Sequence, residues 1–369
     1  MNDFSIIIFL WLCGTTVIAL LTHRKFQIDV VTFATLGFLF VYSPVSLLLM
    51  FLTVLANFQV SRLSGKTRTT GIWTTVIIVS LMFLLYRGVQ PVARVIGFEF
   101  PVLMGLAYFF CRQIHQLVEA LKMPAQQIPL RHYLNYNFFL PVMLAGPIHR
   151  APHFFRQCER RRYDPRNITG GLERILYGYA KIILGNYLIN YKFADLLELF
   201  ILSENTTLLI ESVTGWAHLY CQFSGYTDIA LGFALLLGIR LEENFNNPLA
   251  ATTLIDFWQR WHMTLSSWCR DYVFSPIQAL TRNQFVAVLA AMIVMGLWHE
   301  VSFYYLIWGI YHAVGIALCR LYQRSNDPFH LEGLPSHLRH GITRAATFAW
   351  LMGSMPVITA FLTLIRQQR

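Results

Sequence analysis

"IDVVTFATLGFLFVYSPVSLLLMFLTVLANF", residues 28 to 58, contains one acidic residue, no basic residue and a single proline, Pro44. Split at that proline it offers two apolar arms of about fifteen residues each, close to the length a helix needs to cross a bilayer core. Basic clusters flank it, His23 to Lys25 before and Arg62 to Arg68 after. Basic loops stay on the cytoplasmic side, so the stretch reads as a hairpin that leaves and returns. Phe4 to Leu21, Ile72 to Tyr86, Phe285 to Trp298 and Ser302 to Cys319 are further apolar runs of comparable character. Working outward by this criterion predicts an all-α integral membrane protein with about eight to eleven transmembrane or re-entrant helices.

Composition agrees. Of 369 residues, 56% are hydrophobic and 13% charged, against the roughly 25% charged residues of an ordinary soluble domain. The formal net charge of +10 raises the question of nucleic acid, yet the bases sit in short clusters between apolar runs: 23 to 25, 62 to 68, 150 to 166, 320 to 324 and 366 to 369. That distribution follows the positive-inside rule and argues against a nucleic-acid face. With these clusters cytoplasmic, residue 1 starts outside, and residues 28 to 60 and 72 to 121 close as two hairpins. No basic residue precedes the first apolar run and no small-residue cleavage site follows it, so it reads as a first span. The six cysteines show no C-x-x-C spacing, and they read as small buried hydrophobes without metal or disulfide.

No short repeat and no low-complexity linker divides the chain, which reads as one polytopic domain over residues 1 to 369. The most polar interruption, "HRAPHFFRQCERRRYDPRN" (149 to 167), holds six arginines. It reads as a solvated loop that anchors orientation, with an electrostatic funnel for a phosphate-bearing donor as the alternative. A second interruption, "GIRLEENFNNPLAATTLIDF" (238 to 257), is a loop or a broken helix. It leads into "DFWQRWHMTLSSW" (256 to 268), where Trp258, Trp261, Leu265 and Trp268 make an apolar stripe at helical spacing. Gln259, His262, Ser266 and Arg270 lie beside it, so the spacing predicts an amphipathic helix whose polar seam faces protein or a water-filled cavity.

The segment "MGLWHE" (295 to 300) places His299 at the end of an apolar run. An ionisable residue at membrane depth is costly to keep and reads as functional; at the interface, where Trp298 is also at home, the same histidine has no special duty. Position 303 is Phe, so His299 and Glu300 do not begin an H-E-x-x-H zinc site. No G-x-S-x-G elbow and no G-x-x-x-x-G-K-[ST] loop is present. Two histidines, 262 and 299, are left as candidates, and a histidine near neutral pKa takes a proton from a hydroxyl.

"FSGYTDIALG" (223 to 232), "ENFNNP" (243 to 248), "DFWQRWHMTLSSWCRDYVF" (256 to 274) and "GLWH" (296 to 299) resemble, in order, the motif series of the membrane-bound O-acyltransferase superfamily. "LAGPIHR" (144 to 150) and "GLERILYGYAKIILGNYL" (171 to 188) are similar to its upstream part. The resemblance covers a motif-bearing core from 144 to 318 and is nearest to the bacterial branch that acetylates alginate or transfers D-alanine to teichoic acid. It implies a ring of helices around a central tunnel, His299 as catalytic residue and His262 as its partner. One departure is Glu300, where the family often has Gly.

The expected activity is therefore membrane O-acyl transfer. An acyl group, acetyl first, moves from a cytoplasmic thioester (acetyl-CoA or an acyl carrier protein) to a hydroxyl of an extracytoplasmic glycan or to a partner transferase. The resemblance implies no metal and no tightly bound cofactor. Asp228, Asn246, Trp261, Ser266, Arg270 and Trp298 are the candidate substrate-binding residues. For Asp228 a helix-to-helix hydrogen bond is the competing role, for Asp256 an N-cap, and for the tryptophans core packing. The expected location is a bacterial inner membrane, in contact with lipid. D-alanyl transfer from a phosphopantetheine carrier is the rival within the class, and a transporter or flippase with proton-relay histidines is the rival outside it.

Overall fold

The computed structural model describes residues 3–95, 105–122, 128–143, 146–161, 164–192, 204–325 and 333–367. Leu144 and Ala145 of "LAGPIHR" lie outside them. The described residues are helical, with no strand among them and one isolated antiparallel bridge, Phe245 to Trp261. In chain order the helices are α1 (Asp3–Leu21), α2 (Gln27–Tyr42), α3 (Pro44–Ser61), α4 (Gly65–Val95), α5 (Leu106–Lys122), α6 (Leu130–Asn137), α7 (Ala151–Arg160), α8 (Pro165–Ile183) and α9 (Glu204–Leu236). Then come α10 (Leu254–Arg260), α11 (Met263–Cys269), α12 (Ser275–Thr281), α13 (Gln284–His299), α14 (Phe303–Arg324) and α15 (Ser336–Gln367). Among the described residues, five stretches are long and apolar enough to cross a membrane: Arg24–Tyr42, Pro44–Ser61, Gly65–Val89, Phe303–Arg324 and Ser336–Ile365. Ile6–Leu21 and Gln284–His299 are shorter apolar helices. The break at Pro44 is where the sequence put it, with Pro44 opening α3.

The chain forms two compact units: Met1–Tyr179 with Gly225–Glu242, and Ala180–Ser224 with Glu243–Arg369. In the first, α2 and α3 turn large apolar side chains outward and bury polar ones among their apolar contacts. Phe33, Phe40, Leu48 and Leu52 face outward, while Thr32, Thr35, Ser46 and Asn57 are buried. The buried polar groups pair across helices: Thr32 donates to Asn135 Oδ1 (2.7 Å), Asn57 to Gln113 Oε1 (2.6 Å), and Asn137 to Gln116 Oε1 (3.0 Å). Gln113 also donates to Asn137. In a lipid-facing bundle such amide bonds hold helices that have no hydrophobic reason to associate.

Glycines set the closest approach in this unit. A Cβ on Gly171 would lie 2.9 Å from the Gly232 carbonyl oxygen, and one on Gly178 would lie 2.6 Å from that of Gly225. The two pairs sit seven residues apart on α8 and on the end of α9, so the backbones touch along two turns. Between them Arg174 Nε meets Asp228 Oδ1 at 3.0 Å.

In the second unit α13 and α14 form an antiparallel hairpin. Asn283 caps α13 by accepting from Phe285 and Val286, and Ser302 caps α14 by accepting from Tyr305. Gly296 lets α13 come against the Tyr305 carbonyl, where a Cβ would lie 2.3 Å from that oxygen, and Gly309 lets α14 come against Met292 (2.6 Å). The hairpin thus fixes the end of α13, where His299 sits.

Candidate functional site

The histidine of "FWQRWH" is placed by a break in a helix. In α10, Thr253 accepts from the Asp256 amide (3.0 Å), Asp256 accepts from the Thr252 amide (3.3 Å), and Arg260 Nε donates back to Asp256 (2.6 Å). Thr253, not Asp256, is therefore the N-cap, and Asp256 ties the residue before it to the first turn. The helix ends at Arg260, Trp261 is extended, and His262 takes the left-handed conformation (φ 44, ψ 51) before α11 begins. The single amphipathic helix expected over 256 to 268 is thus two short helices. A left-handed non-glycine residue costs about 1–2 kcal/mol, and the preceding loop supplies what outweighs it.

That loop is "ENFNNP". The Asn246 amide donates to the Arg260 carbonyl and the Met263 amide donates to the Asn244 carbonyl, both at 2.9 Å. Phe245 bridges Trp261 between them, and Thr264 Oγ1 donates to Asn244 Oδ1 at 2.6 Å. The two motifs, adjacent in sequence, are two sides of one clamp on the His262 backbone.

His262 is buried, its ring 4.6 Å from that of Phe223 and 5.5 Å from that of Trp298. Trp298 also meets His299 (4.9 Å), so one indole touches both histidines. His299 is half-buried, stacks on Tyr305 (5.5 Å) and meets Trp308 (5.8 Å). Trp308 packs on His312 (4.4 Å), and Trp258 closes on His312 from another side (5.3 Å). The result is a band of alternating imidazole and indole rings. Burial, and then any positive charge on His299, press the His262 imidazole well below its ordinary range, so it is neutral at neutral pH.

The other sequence-predicted residues divide. Trp298 is in the band. Trp261 stacks on Phe257 (5.5 Å) and meets Trp216 (5.4 Å) and Phe245 (5.1 Å), a packing role. Asn246 is exposed and serves through its backbone, while the buried side chain of its motif is Asn244. Asp228 lies in the first unit and is held by Arg174.

Ser266 and Arg270 line a cavity of about 410 Å³, with Trp258, Met263, Met295 and Arg320 among its other walls. Ser266 Oγ donates to the Trp261 carbonyl (3.2 Å), and Arg270 Nε donates to Asp271 (3.0 Å). Val288, Ala291, Met292 and Met295 give the cavity an apolar stripe along α13 of roughly 10 Å, ending one turn before His299. Arg320, on α14, has Nε and Nη1 buried without a hydrogen-bond partner among the described residues. The helix after α11 widens to π geometry over Arg270–Phe274 at this wall, a distortion frequent at functional sites.

Three residues here were not singled out by sequence. His312 carries the same signal as His299, an ionisable side chain in an apolar run. Both of its ring nitrogens are buried without a hydrogen-bond partner among the described residues. Nothing in the sequence separates Asn244 from its neighbours, and Arg320 is absorbed into a basic cluster that orientation already explains. No group of three or more His, Cys, Asp or Glu suited to a metal ion occurs among the described residues.

Comparison with known proteins gives a family match and several relatives. Residues 26–362 match the model of the membrane-bound O-acyltransferase family, a range that runs through both units. The chain is 30% identical over 252 residues to the teichoic acid D-alanyltransferase of Bacillus subtilis, covering 63% of this chain and 62% of the relative. It is 28% identical over 240 residues to the probable alginate O-acetylase of Pseudomonas putida (61% of this chain, 47% of the relative). It is 29% identical over 242 residues to the peptidoglycan O-acetyltransferase of Helicobacter pylori (62% and 45%). The chain thus spans roughly half the length of the curated relatives it matches.

Proposed function

This chain belongs to the membrane-bound O-acyltransferase family, an integral membrane family, and from that premise we propose that it moves an acyl group, acetyl first, from a thioester to a hydroxyl. The observation that carries the reading is the packing of His262 and His299 on one buried tryptophan, Trp298. His299 takes the hydroxyl proton as the oxygen attacks the thioester carbonyl carbon. The tetrahedral intermediate collapses, the carbon–sulfur bond breaks, and the departing thiolate takes the proton from His299. His262, neutral by burial, has one ring N–H to offer the carbonyl oxygen, positioning it and easing the charge that develops there. The thioester is already an activated acyl donor, and none of these steps uses a metal.

The donor enters along the cavity lined by Met295 and Trp258, with Arg320 and Arg270 at the far end suited to a phosphate-bearing arm. A glycan hydroxyl on the other side of a bacterial inner membrane, or a partner transferase, receives the acyl group. The names of the alginate and peptidoglycan relatives support acetyl transfer to a glycan. The 30% match to a teichoic acid D-alanyltransferase favours a second reading, transfer of D-alanine from a carrier protein's phosphopantetheine arm.

The test is transfer of radiolabel into membranes holding the wild-type chain or His299→Ala at matched abundance. Acetyl-CoA is the donor in one arm and a D-alanyl carrier protein in the other. Label that enters from one donor and is lost in the variant identifies the reaction. Equal incorporation removes His299 from the chemistry, and none from either donor turns attention to a transporter.

A further inference from the structure

The first unit contains a cavity of about 370 Å³ between the turn after α1, α6 and α7. Its deepest cation is Arg161, the residue that ends α7, and only 7% of it is exposed. Nη1 donates to the Leu237 carbonyl (3.1 Å) and Nη2 to the Arg24 carbonyl (2.6 Å). Carbonyls satisfy hydrogen bonds but not charge. No carboxylate among the described residues pairs with Arg161, and the end of its own helix offers only a partial negative charge. An uncompensated buried guanidinium is costly.

The contrast with Arg131, on the same cavity, is direct. Its Nε and Nη2 grip Asp29 at 2.8 and 2.5 Å. Around the mouth stand Arg24 and Lys25, both exposed. Four fixed cations, Arg24, Lys25, Arg131 and Arg161, therefore face two carboxylates, Glu159 on the wall and Asp29 on Arg131. The other walls are Phe154 and Phe155, the latter stacked on His132. The turn that carries Arg24 and Lys25 joins two apolar helices, which sets the cavity at the border of the apolar layer, where a headgroup lies.

We propose that this cavity binds the phosphate group of an anionic ligand, with Arg161 as the buried contact and Arg24 and Lys25 closing over it. Phosphate suits the set because its several oxygens engage a guanidinium and an ammonium at once. Two sources share that chemistry, the headgroup of an anionic phospholipid and a soluble phosphate. The site does not depend on the acyl-transfer reading.

The experiment uses the purified full chain in detergent. Native mass spectrometry with equal phosphatidylglycerol and phosphatidylcholine reads lipid adducts, and thermal unfolding in inorganic phosphate against chloride at equal ionic strength reads the soluble anion. Arg161→Gln also loses two backbone contacts, so the deciding variant is Arg24→Gln with Lys25→Gln, whose side chains are exposed. A headgroup site gives phosphatidylglycerol adducts at least tenfold over phosphatidylcholine, falling fivefold or more in the double variant. A soluble-phosphate site gives a phosphate-dependent rise in melting temperature that the double variant lacks. Equal adducts for both lipids with no phosphate shift, or a preference unchanged in the double variant, overturns the proposal.

Discussion

Two buried polar regions of this molecule are built on opposite plans. In the first unit Asn57, Gln113, Gln116 and Asn137 are linked by hydrogen bonds across α3, α5 and α6. In the second, the polar side chains of the ring band are imidazoles, and the rings packed on them are Trp258, Trp298, Trp308 and Phe223. Amides do not titrate, so this network holds helices together and moves no proton. Imidazoles are titratable groups, so the ring band can take part in proton transfer where amides cannot. The difference separates a scaffold from the proposed reaction site inside one membrane chain.

The largest expected effect tests the reaction side. His299→Ala should lower transfer by about 10³-fold or more, within the range of a lost general base, with little change in melting temperature. Label incorporation per folded molecule measures it, and a parallel loss of folded protein would make the imidazole band a second scaffold. Gln113→Leu tests the other side. It strips Asn57 and Asn137 of a partner and should cost about 2–4 kcal/mol of stability, read by thermal unfolding, while transfer per folded molecule stays unchanged.

Acid titration probes a buried imidazole in each unit. His149 and His262 are pressed well below their ordinary value of 6.5, chiefly by burial, so both are neutral when folded. The unfolded chain takes up those protons first. Stability should be flat above about pH 6.5 and fall as pH drops below it, each imidazole steepening the fall by up to about 1.4 kcal/mol per pH unit. Replacing His149 or His262 with Gln should flatten that limb, and an unchanged slope would refute the assignment.

Smaller effects sharpen the picture. Asn244→Ala loses the bond from Thr264 and should cost about 1 kcal/mol, with a fall in kcat near tenfold and little change in KM, because His262 is displaced rather than removed. Asp228→Asn weakens the pair with Arg174 and should cost 1 kcal/mol or less, with transfer per folded molecule unaffected. A selective loss of transfer there would restore Asp228 to substrate contact.

Much of this was legible in the sequence. The apolar runs and the break at Pro44 reappear as helices, because runs of that length have no other way to satisfy their backbone in lipid. His262, His299 and Trp298 stand in recognisable motifs and come together. What misled was periodicity. The stripe of Trp258, Trp261, Leu265 and Trp268 does bury all four residues, yet the helix it implies is cut at His262. Helical spacing reports which side chains are inside, and it does not report a backbone held left-handed by hydrogen bonds from a neighbouring loop.

The sequence by itself determined the helical membrane character, the spans and the pair of histidines, since each rests on composition and local order along the chain. Tertiary structure alone decided three things: that Asn244 rather than Asn246 buries its side chain beside His262, that His312 meets Trp258 in the ring band, and that Arg161 is buried with no paired carboxylate among the described residues. Each depends on partners 20 to 140 residues away, and a side chain's hydrogen bonds and charge neighbours are set by packing that no local pattern encodes.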